Sequence, residues 1–351
     1  MRVVVIPHYN NPYQDELAKA LAKHSVTTHY AEVFPLFSII KASRKYWKPD
    51  VVHVHWTDCL LMGSSKLISL IRSTTFILEI MLIKLLRIRL VWTIHNIVSH
   101  ESPYPSLELF YNRLLARFAD TIFVHSQFVM DEVIRKYKIR RDAITIIPHG
   151  NYINCYPNVI SRDAAREKLG ITPDIVLFLF LGLIRPYKGV MDLVDAFEQI
   201  DNKRAHLIIA GRPLDEEIAR QITTRCHGMN TITTRLEMVP DEEVQVYMNA
   251  ADVVVFPYKR ILTSGALLLA MSFGKAIIAP AIGFIPDVLD EKGSIIYSPP
   301  ETAALRDAMA RAVIPTPDKL AEMGHHNFIL AQKCDWEDIA KVTLEIYKGK
   351  S

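Results

Sequence analysis

Short runs of valine, isoleucine and leucine, almost unbroken by polar residues, recur along the chain between longer stretches of helical periodicity. In the first part they read RVVVIP, DVVHVHW, LVWTIHN, TIFVHS and ITIIPHG; in the second, DIVLFLFLG, AHLIIAG, ADVVVFPY, KAIIAP and GSIIY. A strand that leaves one face in water alternates apolar with polar residues, whereas runs apolar at successive positions suit strands covered on both faces. Helical stretches such as 12–23, 107–118 and 127–137 lie between them, and buried strands alternating with helices predict a parallel, doubly wound sheet. Residues 151–173, with prolines, asparagines and one short helical piece, SRDAAREKLG, separate the two series. The pattern therefore predicts an α/β protein of two Rossmann-like domains facing a central cleft. They cover residues 1–155 and 173–331, joined by a connection over 156–172.

Ligands of open parallel sheets bind beyond the carboxyl ends of the strands, so the polar ends of these runs are the candidate chemistry. In the first half they are His8, Asn10 and Asn11, then His55 to Asp58, His95 with Asn96, His125 with Ser126, and His149 with Asn151. Each histidine has a structural alternative, a hydrogen bond inside the core. In the second half, ILTSGALLLAMSFGKAIIAP places Thr263, Ser264, Gly265 and Ala266 at the head of an apolar helix. A helix start leaves N–H groups without partners and carries partial positive charge, which seats a phosphate. Thr263 or Ser264 serves equally well as an ordinary N-cap.

Composition narrows the class. The chain has 351 residues, half of them hydrophobic, enough for two cores. Its 41 basic and 38 acidic residues leave a net charge of +3, which gives no support to nucleic acid as a partner. Cys59, Cys155, Cys226 and Cys334 are scattered without a CxxC pair, against a disulfide framework or zinc site and in keeping with a reducing, cytoplasmic compartment. The first run, VVVIP, is too short for a signal peptide. Residues 64–92 are rich in leucine and isoleucine and interrupted by Lys66, Arg72, Glu79, Lys84, Arg87 and Arg89. The interruptions argue against a transmembrane helix. Either this helix packs on a sheet, or it rests an apolar side on an anionic membrane at the inner face as a peripheral anchor.

FLGLIRPYKGVMDLVDAF, LIIAG, ADVVVFPY and LLLAMSFGKAIIAPAIGFIPDVL, in that order and preceded by DVVHVHW, TIHN and IIPHGNY, resemble the GT-B fold glycosyltransferases of family 4. The resemblance spans nearly the whole chain, and DWEDIAKVTLEIY resembles the last helix of that fold. This implies that 332–351 crosses back to the first, acceptor-binding domain, while the second binds donor. The resemblance implies a transferase that moves a sugar from a nucleotide-sugar to a glycan or lipid-linked acceptor in polysaccharide or glycolipid biosynthesis. It also implies retention at the anomeric carbon, with the departing phosphate accepting the acceptor's proton. Departures are plain. Two family glutamates eight positions apart fall at Ile261 and Leu269, the usual basic residue after the first glycine, Gly182, is Leu183, and the second glycine of a Gly-Gly-x-x-Glu turn is Phe284 with Asp287 as its acid. HYNNPYQ stands where a glycine-rich loop is frequent.

Breaking a sugar–phosphate bond builds negative charge on the diphosphate, which something positive must meet. The chain has no Asp-x-Asp triplet and no metal-ligand spacing, so neither a metal nor another cofactor is expected. Arg185, Lys188 and the backbone N–H groups of Ser264, Gly265 and Ala266 are the candidate fixed cation set. Gly182, Gly211, Arg212, Met238, Val239, Tyr258 and Thr263 are candidate donor-pocket walls. Asp287 binds a donor hydroxyl or caps a helix near Pro286. His95 is the candidate for touching the reacting sugar, and His8, Asn10, Asn11, His55, Asn96, His125 and His149 are the acceptor-side candidates. Two other readings share this fold. A sugar-nucleotide epimerase needs carboxylates that Ile261 and Leu269 replace, and for a non-catalytic nucleotide-sugar-binding partner subunit the presence of Arg185, Lys188 and Gly265 argues against full decay, with turnover as the deciding measurement.

Overall fold

A computed structural model describes the chain except for residues 10, 35, 47, 201–203, 300, 301, 350 and 351. Its contacts divide it into two compact units, one of residues 1–150 with 334–351 and one of residues 151–333.

The first unit holds β1 (Arg2–Ile6), α1 (Pro12–Ala22), β2 (Thr27–Tyr30), α2 (Ser38–Lys45), β3 (Val51–Val54), α3 (Asp58–Leu61), α4 (Lys66–Leu85), β4 (Arg89–Thr93), α5 (Pro105–Phe118), β5 (Thr121–Val124), α6 (Gln127–Tyr137) and β6 (Ile144–Ile146). Its six strands are all parallel, in the order β2-β1-β3-β4-β5-β6. Asn11 caps α1, its side-chain oxygen accepting from the Tyr13 N–H at 2.9 Å. Val3, Val5, Val51, Val91 and Phe123 of the sheet pack on Tyr13, Leu17 and Ala20 of α1.

The second unit holds α7 (Arg162–Leu169), β7 (Val176–Leu181), α8 (Val190–Glu198), β8 (Ala205–Ala210), α9 (Glu216–Cys226), β9 (Ile232–Arg235), α10 (Asp241–Ala250), β10 (Val253–Val255), α11 (Gly265–Ser272), β11 (Ala276–Pro280), α12 (Ile285–Val288), β12 (Ser294–Tyr297), α13 (Thr302–Val313) and α14 (Pro317–Gln332). Its sheet is also parallel, in the order β12-β11-β10-β7-β8-β9, so the order reverses between β7 and β10. Phe178, Phe180, Leu207, Ile209, Val253, Val255 and Ile278 form its core with Leu193, Val194 and Phe197 of α8. The last helix, α15 (Trp336–Tyr347), belongs to the first unit, where Trp336, Ile339, Ala340 and Leu344 join the core over α1.

The stretch 156–172 is part of the second unit rather than a connection between bodies. Arg166 of α7 is buried and lies 3.1 Å from the Asp252 carboxylate, which also accepts from the Leu177 N–H. The pair ties α7 to the entrances of β7 and β10.

In the first unit α4 buries one apolar face and exposes another. Ser69, Ser73 and Glu79 are buried with Phe76, Ile77, Ile80 and Ile83. Leu67, Leu70, Ile71, Leu78, Met81, Leu82 and Leu85 are exposed. Glu79 accepts from the Ile40 N–H at the start of α2, and burial raises its carboxyl to about 7. Among the described residues no helix is long and apolar enough to cross a membrane.

Candidate functional site

The candidate site of the second unit gathers at the carboxyl ends of β7, β8 and β10, beside the reversal of strand order where ligands of open sheets bind. The first two strand ends meet through backbone alone: Gly211, at φ 146°, lies so close that a Cβ there would overlap the Gly182 carbonyl. Glycine is what that approach requires. The chain then turns through Arg185 and a short 3-10 segment, Pro186–Lys188. The Tyr187 carbonyl accepts from the Lys259 N–H at 2.8 Å, joining this turn to the loop after β10.

Lys188 is half-buried with its ammonium 6.0 Å from the Tyr258 ring centroid. Among the described residues no carboxylate is ion-paired with it. Burial, followed by the neighbouring Arg185 charge, lowers its amine to about 8. Arg185 donates to the Ile184 carbonyl at 3.0 Å.

From the other side Tyr258, almost fully buried, places its hydroxyl 3.1 Å from Ser264 Oγ. Ser264 is the N-cap of α11, accepting from the Leu267 N–H at 3.2 Å. Ser264 is thus an N-cap in its own right, and the anion-seating N–H groups left at this helix start belong to Gly265 and Ala266. The glycine at 265 also has a packing reason: a Cβ would lie 2.8 Å from the Tyr152 hydroxyl. Tyr152 is buried, its N–H held by Ser272 Oγ.

The remaining candidates of this unit differ in exposure. Thr263 is half-buried just before the cap, and Arg212 is exposed while its carbonyl accepts from the Ile184 N–H. Met238 is exposed and Val239 buried on the loop after β9. Asp287 is exposed in the first turn of α12, whose N-cap position is Phe284, so it does not cap that helix. A cleft of about 260 Å³ lies against Tyr258, Lys259, Asp192 and Tyr297. Tyr258 alone of the candidates lines it.

In the first unit the strand-end histidines come together as a ring around Tyr13. The Tyr13 ring centroid is 4.9 Å from His149, 5.2 Å from His95, 5.5 Å from His125 and 5.8 Å from His55, with Trp336 at 5.2 Å. His55 Nδ1 faces His95 Nε2 at 3.1 Å, and Trp56 stacks on His95 at 4.3 Å. His125 and His149 pair through Nδ1 with the Ile147 and Gly150 carbonyls, both at 2.9 Å. Burial holds all of them neutral, His125 at about 4, His149 at about 3, and His55 and His95 well below the ordinary imidazole range. Among the described residues the buried Nε2 atoms of His55 and His125 have no hydrogen-bond partner.

His8 stands outside the ring, stacked on Tyr30 at 3.8 Å and 3.5 Å from Asp15. Asn11 is committed to its cap, Asn96 is half-buried after β4, and Asn10 lies outside the described residues. Tyr13, Trp56 and Tyr152 had no motif to announce them; the signal available was an aromatic at a strand end or helix start.

Residues 176–314 match the family described as Glycosyl transferases group 1, and residues 2–151 match Glycosyltransferase Family 4. The GDP-mannose:glycolipid 4-beta-D-mannosyltransferase of Xanthomonas campestris pv. campestris is 29% identical over 279 residues, 76% of this chain and 72% of that one. The alpha-maltose-1-phosphate synthase of Mycolicibacterium smegmatis is 27% identical over 256 residues, 68% of this chain and 65% of that one. The Anabaena protein HepE, solved with UDP and glucose, superposes with a TM-score of 0.77 at 20% identity, covering 99% of this chain and 100% of that one. With the two family matches falling one on each parallel-sheet unit, the chain belongs to the family-4-like glycosyltransferases of GT-B fold.

Proposed function

We propose that this glycosyltransferase takes its sugar from a nucleotide-sugar and passes it to a lipid-linked acceptor at an anionic membrane surface on the cytoplasmic side, building a glycolipid or polysaccharide, without a metal ion. The observation that carries the donor half is Lys188, a half-buried cation beside Arg185 with no carboxylate ion-paired to it among the described residues. A diphosphate leaving group is the counter-charge such a site lacks. The start of α11 adds the N–H groups of Gly265 and Ala266. The Xanthomonas relative's name, with GDP-mannose and a glycolipid, supports the substrate classes, and UDP in HepE supports a nucleoside diphosphate.

Retention, which the resemblance implies, is the first reading of the stereochemistry. Inversion is the second, favoured by the absence of both glutamates at Ile261 and Leu269 and by the β linkage in the Xanthomonas relative's name. Inversion needs a base for the acceptor hydroxyl. His95 is too strongly held neutral for that task, whereas Asp58, at the start of α3, has its carboxyl raised by burial, with the Glu101 charge adding to the shift.

A thermal-shift screen against UDP-, GDP- and dTDP-sugars identifies the donor. Transfer to a lipid-linked acceptor in EDTA, with the product's anomeric configuration read by NMR, then tests the rest. Stabilisation by none of the donors would sink the reading, transfer that stops in EDTA and returns with Mg²⁺ would remove its metal-free part, and donor consumed without acceptor to give a new sugar would point to epimerisation.

A further inference from the structure

α4 is apolar on two faces: Phe76, Ile77, Ile80 and Ile83 are buried, and a second apolar row lies exposed. Its one carboxylate, Glu79, and its two serines face inward, while leucines, Ile71 and Met81 recur on the outside at 67, 70, 71, 78, 81, 82 and 85. Those positions repeat every three or four residues and form one stripe along a helix of 20 residues, about 30 Å long. Leu67 is 67% exposed, Leu78 58% and Leu85 78%. Exposed apolar surface of this extent marks a binding face.

The charge around the stripe identifies its occupant. Of the basic residues in this segment, Arg72 donates to the Cys59 carbonyl and Lys84 is paired with Asp120 at 2.6 Å. Lys66 at one end and Arg87 beyond the other are exposed and form no ion pair among the described residues. The neighbouring α2, held to α4 through Ile40 and Glu79, exposes Lys41, Arg44 and Lys45, again without an ion-paired carboxylate among the described residues. A second copy of the chain would bring like charges together across a twofold contact. A bilayer rich in anionic lipid satisfies both the stripe and the cations.

We infer that α4 is the membrane-docking element of this protein, its outer stripe entering the interface of an anionic bilayer while α2 supplies cations to the headgroups. The inference rests on the proposed membrane setting for its partner and on α4 and α2 for its surface.

The test is sedimentation of the full chain with phosphatidylcholine vesicles, with and without phosphatidylglycerol. The parent should bind the anionic vesicles at low salt and lose most of that binding at high salt. Leu78→Glu with Leu85→Glu, both on the exposed stripe, should weaken binding more than tenfold with an unchanged melting temperature. Lys41→Gln, Arg44→Gln and Lys45→Gln together should weaken it on the order of a hundredfold, about fivefold per charge. Calorimetry of donor binding in lipid-free buffer reports separately on the transferase reading, and should be the same in all three proteins. Parent chain left in the supernatant with intact donor binding overturns the docking inference. So does equal binding by the leucine variant, or a parent dimer that those leucine substitutions dissociate.

Discussion

Replacing Lys188 with methionine should uncouple donor binding from proton uptake. The free protein holds this amine at about 8, against 10.5 for an ordinary lysine, because the charge is buried beside Arg185. A diphosphate arriving there supplies the missing counter-charge and returns the amine toward its ordinary value. At that limit, binding one nucleoside diphosphate takes up about 0.1 proton at pH 7, about 0.5 at pH 8 and about 0.9 at pH 9. The terminal phosphate is already ionised over this range, with a pKa of about 6, and contributes little. Calorimetry in two buffers of different protonation enthalpy measures the uptake directly. The same shift fixes a stability effect of known sign. Below pH 8 the amine is charged in folded and unfolded chains alike and folding bears the full cost, on the order of 3 kcal/mol. Between pH 8 and 10.5 the unfolded chain holds the extra proton, so the parent gains stability as pH rises. Lys188→Met should therefore be more stable than the parent at pH 7, with the gap closing toward pH 10.5, while transfer slows by roughly two to three powers of ten. Uptake near zero at pH 9 in the parent, or the same uptake in Lys188→Met, would refute the placement of the diphosphate at this lysine.

Three further outcomes follow from the packing. Gly265→Ala should destabilise the second unit by about 1–3 kcal/mol, since its Cβ would sit 2.8 Å from the Tyr152 hydroxyl. Adding Tyr152→Phe should restore both melting temperature and donor affinity, and a Gly265→Ala protein as stable as the parent would contradict the contact. Acid should unfold the first unit early: His53, His125 and His149 stay neutral in the folded chain down to about 3 or 4 but protonate when unfolded near 6.5. Stability is then lost as pH falls from 6.5, about 2 kcal/mol for each at pH 5, and a flat denaturation midpoint from pH 7 to 5 would count against it. Asp252→Asn should cost the second unit about 3–5 kcal/mol in urea denaturation by leaving buried Arg166 charged and unpaired. A loss below 1 kcal/mol would show that Arg166 is satisfied by carbonyls alone.

The central strands were legible because burial on both faces leaves an unbroken apolar run, as in VVHV or VLFLFL. The two strands that escape the pattern, β2 (TTHY) and β9 (ITTR), each lie at one edge of their sheet, where threonine and arginine meet solvent and no such run is required, although the opposite edges, β6 and β12, keep one. The segment 156–172 misled for a related reason. Its prolines and asparagines look like a linker, and the contact that makes it part of a unit, Arg166 to Asp252, spans 86 residues and has no local signature. In the second unit, Gly182 and Lys188 are candidates read from glycine and charge after a strand, and Ser264 from its place at a helix start. The partners that fix them, Tyr258 on Ser264 and Tyr152 against Gly265, are tertiary. The histidines were found one strand end at a time, but the ring around Tyr13 exists only because parallel register brings four carboxyl ends level. In the segment 64–92 the sequence does not distinguish five basic residues, whereas the fold engages Arg72 with the Cys59 carbonyl and Lys84 with Asp120.

The return of α15 to the first unit bears on how the chain is made. Trp336, Ile339, Ala340 and Leu344 are core residues of a unit whose other 150 residues are synthesised first. On the ribosome, that leading portion emerges with the bed for α15 uncovered, Tyr13 lacking its Trp336 neighbour and His53 lacking the Tyr347 hydroxyl that lies 2.6 Å from its Nδ1. The contiguous second unit, 151–333, has all its sequence available before α15 appears. Completion of the half that carries the histidine ring is thus deferred until α15 emerges, and a nascent chain stalled before residue 334 presents chaperones with an open apolar surface on its earlier-made part.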